Sequence, residues 1–223
     1  LAYAIAEAFG TCVHRAQMTS TMKGEEICYT YDPILRLMDA QMEGRGIGLS
    51  GREVANPLCY VRYGAVGRAF QADKPTVVLL DEIDKTNSEV QDDLLRVLED
   101  YAFEVREANH LVQAIHKPIV IITSNGKREL SDAFLRRVYT HHLVFPSREE
   151  LRDITQMHYP SISPIVCEHA ISILQELRSA SLEKPPATAE LLEWIGALEA
   201  SQRIPPATLY GGDRIPFLGT LLK

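Results

Sequence analysis

Two adjacent carboxylates, Asp81 and Glu82, end the apolar run "TVVLL" at 76–80. A carboxylate pair delivered by a buried strand can divide its work. One group can hold a water bound to Mg2+, and the next can orient and deprotonate an attacking water. The first polar residues of an ordinary loop would read the same way. A second apolar run, "PIVIIT" (118–123), leads into Ser124 and Asn125. An amide there can position a water or touch a phosphate without adding charge, although Ser-Asn is also a common turn pair. Third, "RELSDAFLRRVY" sets Arg136 and Arg137 after a short stretch that Ser131 can cap. Arginine suits charge on a transferring phosphoryl group; a solvated basic helix end is the other reading.

The elements that would position these groups follow from the apolar spacing. "TVVLL" and "PIVIIT" are apolar at successive positions, the pattern of parallel strands covered on both faces. In such sheets ligands sit beyond the carboxyl ends of the strands, where both runs deliver their polar residues. "TCVHRAQM" (11–18) alternates and reads as a further strand, and "HLVF" (142–145) as another. Helices are expected at 1–9, with Leu1, Ile5 and Phe9 on one face and Gly10 as the stop, and at 31–42, with Asp32 as cap and Pro33 first. A short helix is expected across 60–72. After Asp84, Thr86 and Glu89 offer a capping box for a helix whose inward stripe is Val90, Leu94, Val97 and Leu98. "FEVRE" and "LVQAI" flank Ala108–His110 as a hairpin. Beyond Pro146 the pattern is purely helical. Ser147 and Glu150 form a capping box, Ser163 and Pro164 open a second helix, and 187–200 is a third. The expected organisation is an α/β core over 1–146, a helical domain over 147–200 and a tail over 201–223.

Composition narrows the function classes. The formal net charge is −7, which argues against a general nucleic-acid coat. No apolar run approaches the roughly 18 residues of a membrane span. Cys12, Cys28, Cys59 and Cys167 are scattered, with no C-x-x-C pair, so reduced thiols in a cytoplasmic protein are expected. His141 and His142, adjacent on a strand, would point to opposite faces and make a poor metal pair. Trp194, among Leu191, Leu192, Ile195 and Leu198, reads as core. Tyr60, Arg62, Tyr63 and Arg68 could touch a threaded polymer or form a solvated helix face.

The order of these pieces resembles the AAA+ ATPases, and more closely their MoxR-like branch, related to the dynein-type and midasin-type ATPases. "VVLLDEIDKTNSEVQDDLLRVLED", "PIVIITSNGKRELSDAFLRRV" and "LEKPPATAELLEWIGALEA" carry the resemblance. It implies a P-loop NTPase-type three-layer α-β-α core with a parallel sheet, followed by a helical lid. It implies that Asp81 and Glu82 are the Walker B pair, with Asp81 on the Mg2+ side and Glu82 polarising water. It further implies that Asn125 is the sensor-1 residue and that Arg136–Arg137 is the arginine-finger region, with Arg137 favoured. The hairpin 102–115 matches the insertion before sensor 1, and the stretch around 43–57 an insert in the second helix. ATP and Mg2+ are the implied cofactors. A ring, hexameric in the family, and a protein substrate, often a von Willebrand A-type partner, are the implied assembly.

Two departures matter. Where the family's lid often carries an arginine for the γ-phosphate, this chain reads "KPPATAEL", leaving Thr188 in its place and Lys184 nearby. No G-x-x-x-x-G-K-[ST] occurs. "GRGIGLSG" (44–51) lacks the lysine, and "NGKR" (125–128) lacks the hydroxyl residue. The family's P-loop runs into a helix much like "LAYAIAEAFG", so the resemblance implies that Leu1 sits just past the Walker A motif, and that the chain as given is inactive alone. The leading reading is an ATP-driven protein remodeller. A nucleic-acid motor of the GTP- or ATP-using restriction type is the second, to be recognised by DNA-stimulated hydrolysis or guanine preference. A non-catalytic assembly module is the third.

Overall fold

Val77–Asp81 form β4, whose apolar residues Val77–Leu80 are all buried, as a run apolar on both faces requires. The computed structural model describes residues 1–45, 51–180, 182–201 and 217–221. In it β4 lies between β1 (Val13–Gln17) and β7 (Ile119–Ile122), each paired parallel to it. The register sets Gln17 opposite Asp81 and Leu80 opposite Ile122. All three strands therefore end at one edge.

Helices cover both sheet faces, giving the expected three layers. On one face α1 (Ala2–Ala8) packs Ala2 and Ala6 on Val77 and Leu79. Of the face shared by Leu1, Ile5 and Phe9, both ends are exposed; the small residues one position on let the helix lie close to the strands. On the other face α2 (Gly24–Cys28), α4 (Ala65–Phe70) and α5 (Ser88–Asp100) bury Ile27, Val66, Phe70 and Leu94 with Val78 and Leu80. Gly67 permits the approach of α4 to α2, since a Cβ there would stand 2.1 Å from the Cys28 carbonyl oxygen.

Several local expectations are corrected. The helix expected over 60–72 is confined to α4. Before it, β3 (Val61–Tyr63) pairs antiparallel with β2 (Tyr29–Tyr31), a pairing too short to show as periodicity. Between these strands α3 (Pro33–Glu43) starts as expected, the Asp32 side chain accepting from Leu35 N–H. Buried Asp39 accepts from Arg52 Nε at 2.7 Å and from the Tyr60 hydroxyl at 3.1 Å. Tyr60 is thus only 2% exposed and cannot touch a threaded polymer. Most of the glycine-rich 44–51 stretch lies outside the described residues. Asn87, not Thr86, caps α5, because the Thr86 hydroxyl donates to Ile83 O instead. β5 (Ala102–Val105) and β6 (His110–Gln113) form the expected hairpin. β7 is half-buried rather than buried, being an edge strand among those described.

The chain divides into two compact units, Leu1–Thr140 and His141–Lys223. The second contains α7 (Arg148–His158), α8 (Pro164–Ser179), α9 (Thr188–Ser201) and α10 (Leu218–Leu221). Ser147 and Glu150 make the reciprocal capping box that starts α7. Trp194 is fully buried against Leu151, Ile171 and Leu174, a core role as expected. Residues 142–145 form no strand: they pair with none of the described strands, and Leu143 and Val144 are exposed. The expected tail over 201–223 lies largely outside the described residues.

Candidate functional site

The common edge of β1, β4 and β7 gathers a carboxylate cluster. Asp81 is the last residue of β4, and Glu82 follows it in the left-handed conformation, φ 60° and ψ 51°. Such backbone costs a non-glycine residue of order 1–3 kcal/mol, so something must hold it. Thr123, one residue past β7, does so from both sides. Its hydroxyl donates to Asp81 Oδ1 at 2.6 Å and accepts from the Glu82 backbone N–H at 2.9 Å. Two backbone bonds complete the turn, Ile83 N–H to Thr123 O and Thr123 N–H to Leu80 O, each 2.9 Å.

Asn125 is brought to Glu82: its Nδ2 donates to Glu82 Oε1 at 2.8 Å. The other carboxylate oxygen accepts from Gln17 Nε2 at 2.5 Å and pairs with Lys85 Nζ at 2.5 Å. Asp81 Oδ2 accepts from Arg15 Nη2 at 2.5 Å. The Thr123 hydroxyl, and then the Arg15 guanidinium, hold the Asp81 carboxyl below its ordinary range, so it is ionised at neutral pH.

Asp84 is a third carboxylate of a different kind. It is 1% exposed and takes its bonds from the backbone, Asn125 N–H at 3.2 Å and Lys127 N–H at 3.0 Å. Burial alone would raise its pKa, but these backbone donors outweigh it and leave the pKa lowered. Asp84 therefore braces the loop that carries Asn125.

The two arginines stand apart from this cluster. Ser131 caps α6 (Asp132–Leu135), accepting from Phe134 N–H. Arg136 ends that helix exposed, and Arg137 forms an ion pair with Glu99 of α5. Among the described residues neither arginine bonds to Asp81, Glu82 or Asn125. Thr188 opens α9 and Lys184 is exposed ahead of it, both in the second unit. An open cavity of about 380 Å3 is lined by Thr19, Ser20, Asp84, Lys85, Lys127 and Arg128. Asp81, Glu82 and Asn125 are not in its wall, but Asp84 and Lys85 are, so the cavity opens beside the carboxylate cluster.

The structure brings the expected Asp81, Glu82 and Asn125 together, and joins to them Arg15, Gln17, Thr123 and Asp84, which the sequence reading did not single out. The alternation of 11–18 puts Arg15 and Gln17 on one face, which was legible. That this face meets Asp81 depends on the pairing partner, which was not. Thr123 carried a signal too, as the last residue of its apolar run.

The groups in the cluster that can ligate a cation are oxygen atoms: the Asp81 and Glu82 carboxylates, the Thr123 hydroxyl and the Asn125 amide oxygen. That set fits a hydrated Mg2+, which takes one or two protein carboxylates and keeps several waters. Each carboxylate has about four acceptor positions, so the bonds present leave room for a bound water or cation. Among the described residues no group of three or more His, Cys, Asp or Glu forms an all-protein metal cage.

The parallel sheet, the two helical layers and the polar edge define an α/β domain of the P-loop NTPase type. Residues 38–157 match the family described as AAA domain (Cdc48 subfamily), and the chain belongs to that family. Among solved structures it is similar to NtrX from Brucella abortus, at 15% identity and TM-score 0.52, covering 94% of this chain and 42% of that one. It is likewise similar to a point mutant of Thermotoga maritima RuvB, at 16% identity and TM-score 0.51, covering 99% of this chain and 55% of that one. The Thermotoga maritima RuvB Holliday junction branch migration motor matches with TM-score 0.50 at 16% identity, covering 99% and 54%. At these identities the likeness shows the fold. The chain spans about half the length of these structures. A comparison with curated proteins finds no match.

Proposed function

We propose that the protein is a Mg2+-dependent ATPase of the MoxR-like, dynein-related branch, working in the cytoplasm as a hexameric ring that remodels a protein partner, a von Willebrand A-type protein fitting that role. The observation that supports this best is the Asn125 amide on Glu82 Oε1, beside an Asp81 carboxylate held by Thr123. In this reading Glu82 takes a proton from the attacking water, and Asn125 orients that water. Asp81 would hold the hydrated Mg2+, which when bound would supply charge neutralisation at the phosphates. Arg136 and Arg137 are exposed, as residues serving a neighbouring subunit's site must be. Arg137 would act there by stabilising charge on the phosphoryl group in transfer.

The test is Glu82→Gln in the complete protein. ATP should still bind, seen as a nucleotide-dependent rise in melting temperature, while turnover falls by about 100-fold or more. Turnover within a few-fold of wild type would defeat the assignment. Stimulation of that turnover by DNA, or a preference for GTP, would favour a nucleic-acid motor instead.

A further inference from the structure

Arg15 has no place in the reading above, yet it occupies the side of Asp81 that faces β1. Its Nη2 donates to Asp81 Oδ2 at 2.5 Å and to Gln17 Oε1 at 2.8 Å, while Gln17 holds Glu82 in turn. The register explains why. Arg15 and Gln17 lie opposite Leu79 and Asp81 on adjacent parallel strands, so both side chains leave the sheet on the face of the Asp81 side chain. Arg15 carries a full charge whose partner is that one carboxylate; its side chain is 51% exposed, that of Asp81 23%. No other cation forms an ion pair with Asp81 among the described residues.

We propose that Arg15 is a positioning residue, an internal cation that occupies Asp81 Oδ2 when no divalent ion is bound and competes with that ion for the carboxylate. This rests on the assignment of Asp81 to the Mg2+ side. An arriving dication must approach a carboxylate already beside a guanidinium, and like charges repel at this distance even when partly screened. Arg15 can yield without unfolding anything, because its head is half in solvent and it retains the Gln17 bond. Metal-free, Arg15 keeps the carboxylate from standing uncompensated next to Glu82. Metal-bound, it is displaced.

The experiment measures binding of Mn2+ alone to the complete protein by electron paramagnetic resonance of the free ion, together with melting temperature with and without Mn2+. Arg15→Gln is expected to bind Mn2+ roughly three- to tenfold more tightly, the scale of losing one partly exposed like charge. It should melt lower than wild type without metal and recover the difference when Mn2+ is added. Arg15→Lys, which keeps the charge, should bind Mn2+ as wild type does. A merely structural arginine would lower melting equally with and without metal and leave Mn2+ affinity unchanged, and that result overturns the proposal. Unmeasurable Mn2+ binding by both wild type and Arg15→Gln overturns it too. Asp81→Asn separates the two levels. If it leaves Mn2+ binding intact, the assignment of Asp81 fails; if it abolishes binding while Arg15→Gln does not tighten it, only the role of Arg15 fails.

Discussion

Two arginine–carboxylate groups, one in each unit, are built from the same chemistry and arrive at different ends. In the second unit Glu168 of α8 is held by Arg148 from one side, at 2.8 Å, and by Arg152 from the other, at 2.5 Å. Arg148 also donates to Ser172 Oγ at 2.8 Å and Gln175 Oε1 at 3.0 Å. Both arginines come from α7, so the group clamps one helix to the next. It lies on a regular helix surface and holds no strained backbone. At the sheet edge, by contrast, a single arginine meets Asp81. The neighbouring carboxylate takes two amides and a lysine, and the backbone there is left-handed at Glu82. A clamp saturates its charge with cations. The sheet edge leaves acceptor positions on Asp81 and Glu82 open and places polar groups of graded strength around them.

The difference can be tested at its foundation first. Asp84 is the carboxylate of the edge that braces the backbone, since its buried side chain accepts from two backbone N–H groups. Asp84→Ala should leave the N–H groups of Asn125 and Lys127 unpaired and destabilise the first unit by about 2–4 kcal/mol, measured by denaturant unfolding. A loss below about 0.5 kcal/mol, the scale of an ordinary surface change, would mean that the loop carrying Asn125 needs no brace.

Next in size is Thr123→Val, an isosteric change that removes only the hydroxyl bridging Asp81 and Glu82. Turnover of the complete protein should fall about tenfold, and the first unit should lose about 1–2 kcal/mol because the Glu82 N–H loses its acceptor. The Asp81 pKa should rise, because its largest lowering cause is gone. The acid limb of the activity profile should therefore move to higher pH. An unchanged pH profile would show that the bridge is incidental.

The smallest effect belongs to the clamp. Its two arginines lower the Glu168 pKa below the usual 4.5, Arg152 more than Arg148. A depressed folded-state pKa contributes stability above the unfolded value and loses it as pH falls through the folded value. Glu168→Gln should thus lower the melting temperature of the second unit by about 2–4 °C at pH 7. The gap from wild type should close as pH falls below about 4.5, and ATP turnover should not change. A clear loss of turnover would mean that the clamp is part of the site after all.

Much of this contrast could be read before any coordinates. The strands at 76–80 and 118–123 were visible because double-sided burial leaves an unbroken apolar run. The caps at Asp32 and Ser147 were visible because capping is local chemistry. Asp81, Glu82 and Asn125 followed from those strands, since a strand end is where a polar residue emerges. Misreadings fell where the local signal competes with a tertiary one. Val61–Tyr63 joined a short strand pair with a segment thirty residues away. Residues 142–145 had strand composition but no partner. Thr86 looked like a cap, and its hydroxyl was already committed to Ile83.

The sequence by itself determined which residues could be buried, where the regular elements begin, and that two strands end in Asp-Glu and Ser-Asn. Those properties depend on side-chain chemistry over a few neighbouring positions. Only the tertiary structure decided which carboxylate meets which partners. Asp81, Glu82 and Asp84 lie within four residues, yet one faces Arg15 and Thr123, one faces Asn125, Gln17 and Lys85, and one is sunk among backbone N–H groups. Apart from Lys85, three residues from Glu82, the partners come from β1 and from the segment that follows β7, at least 41 positions distant along the chain. Strand order and register bring them there, and neither is encoded in the period of a single strand.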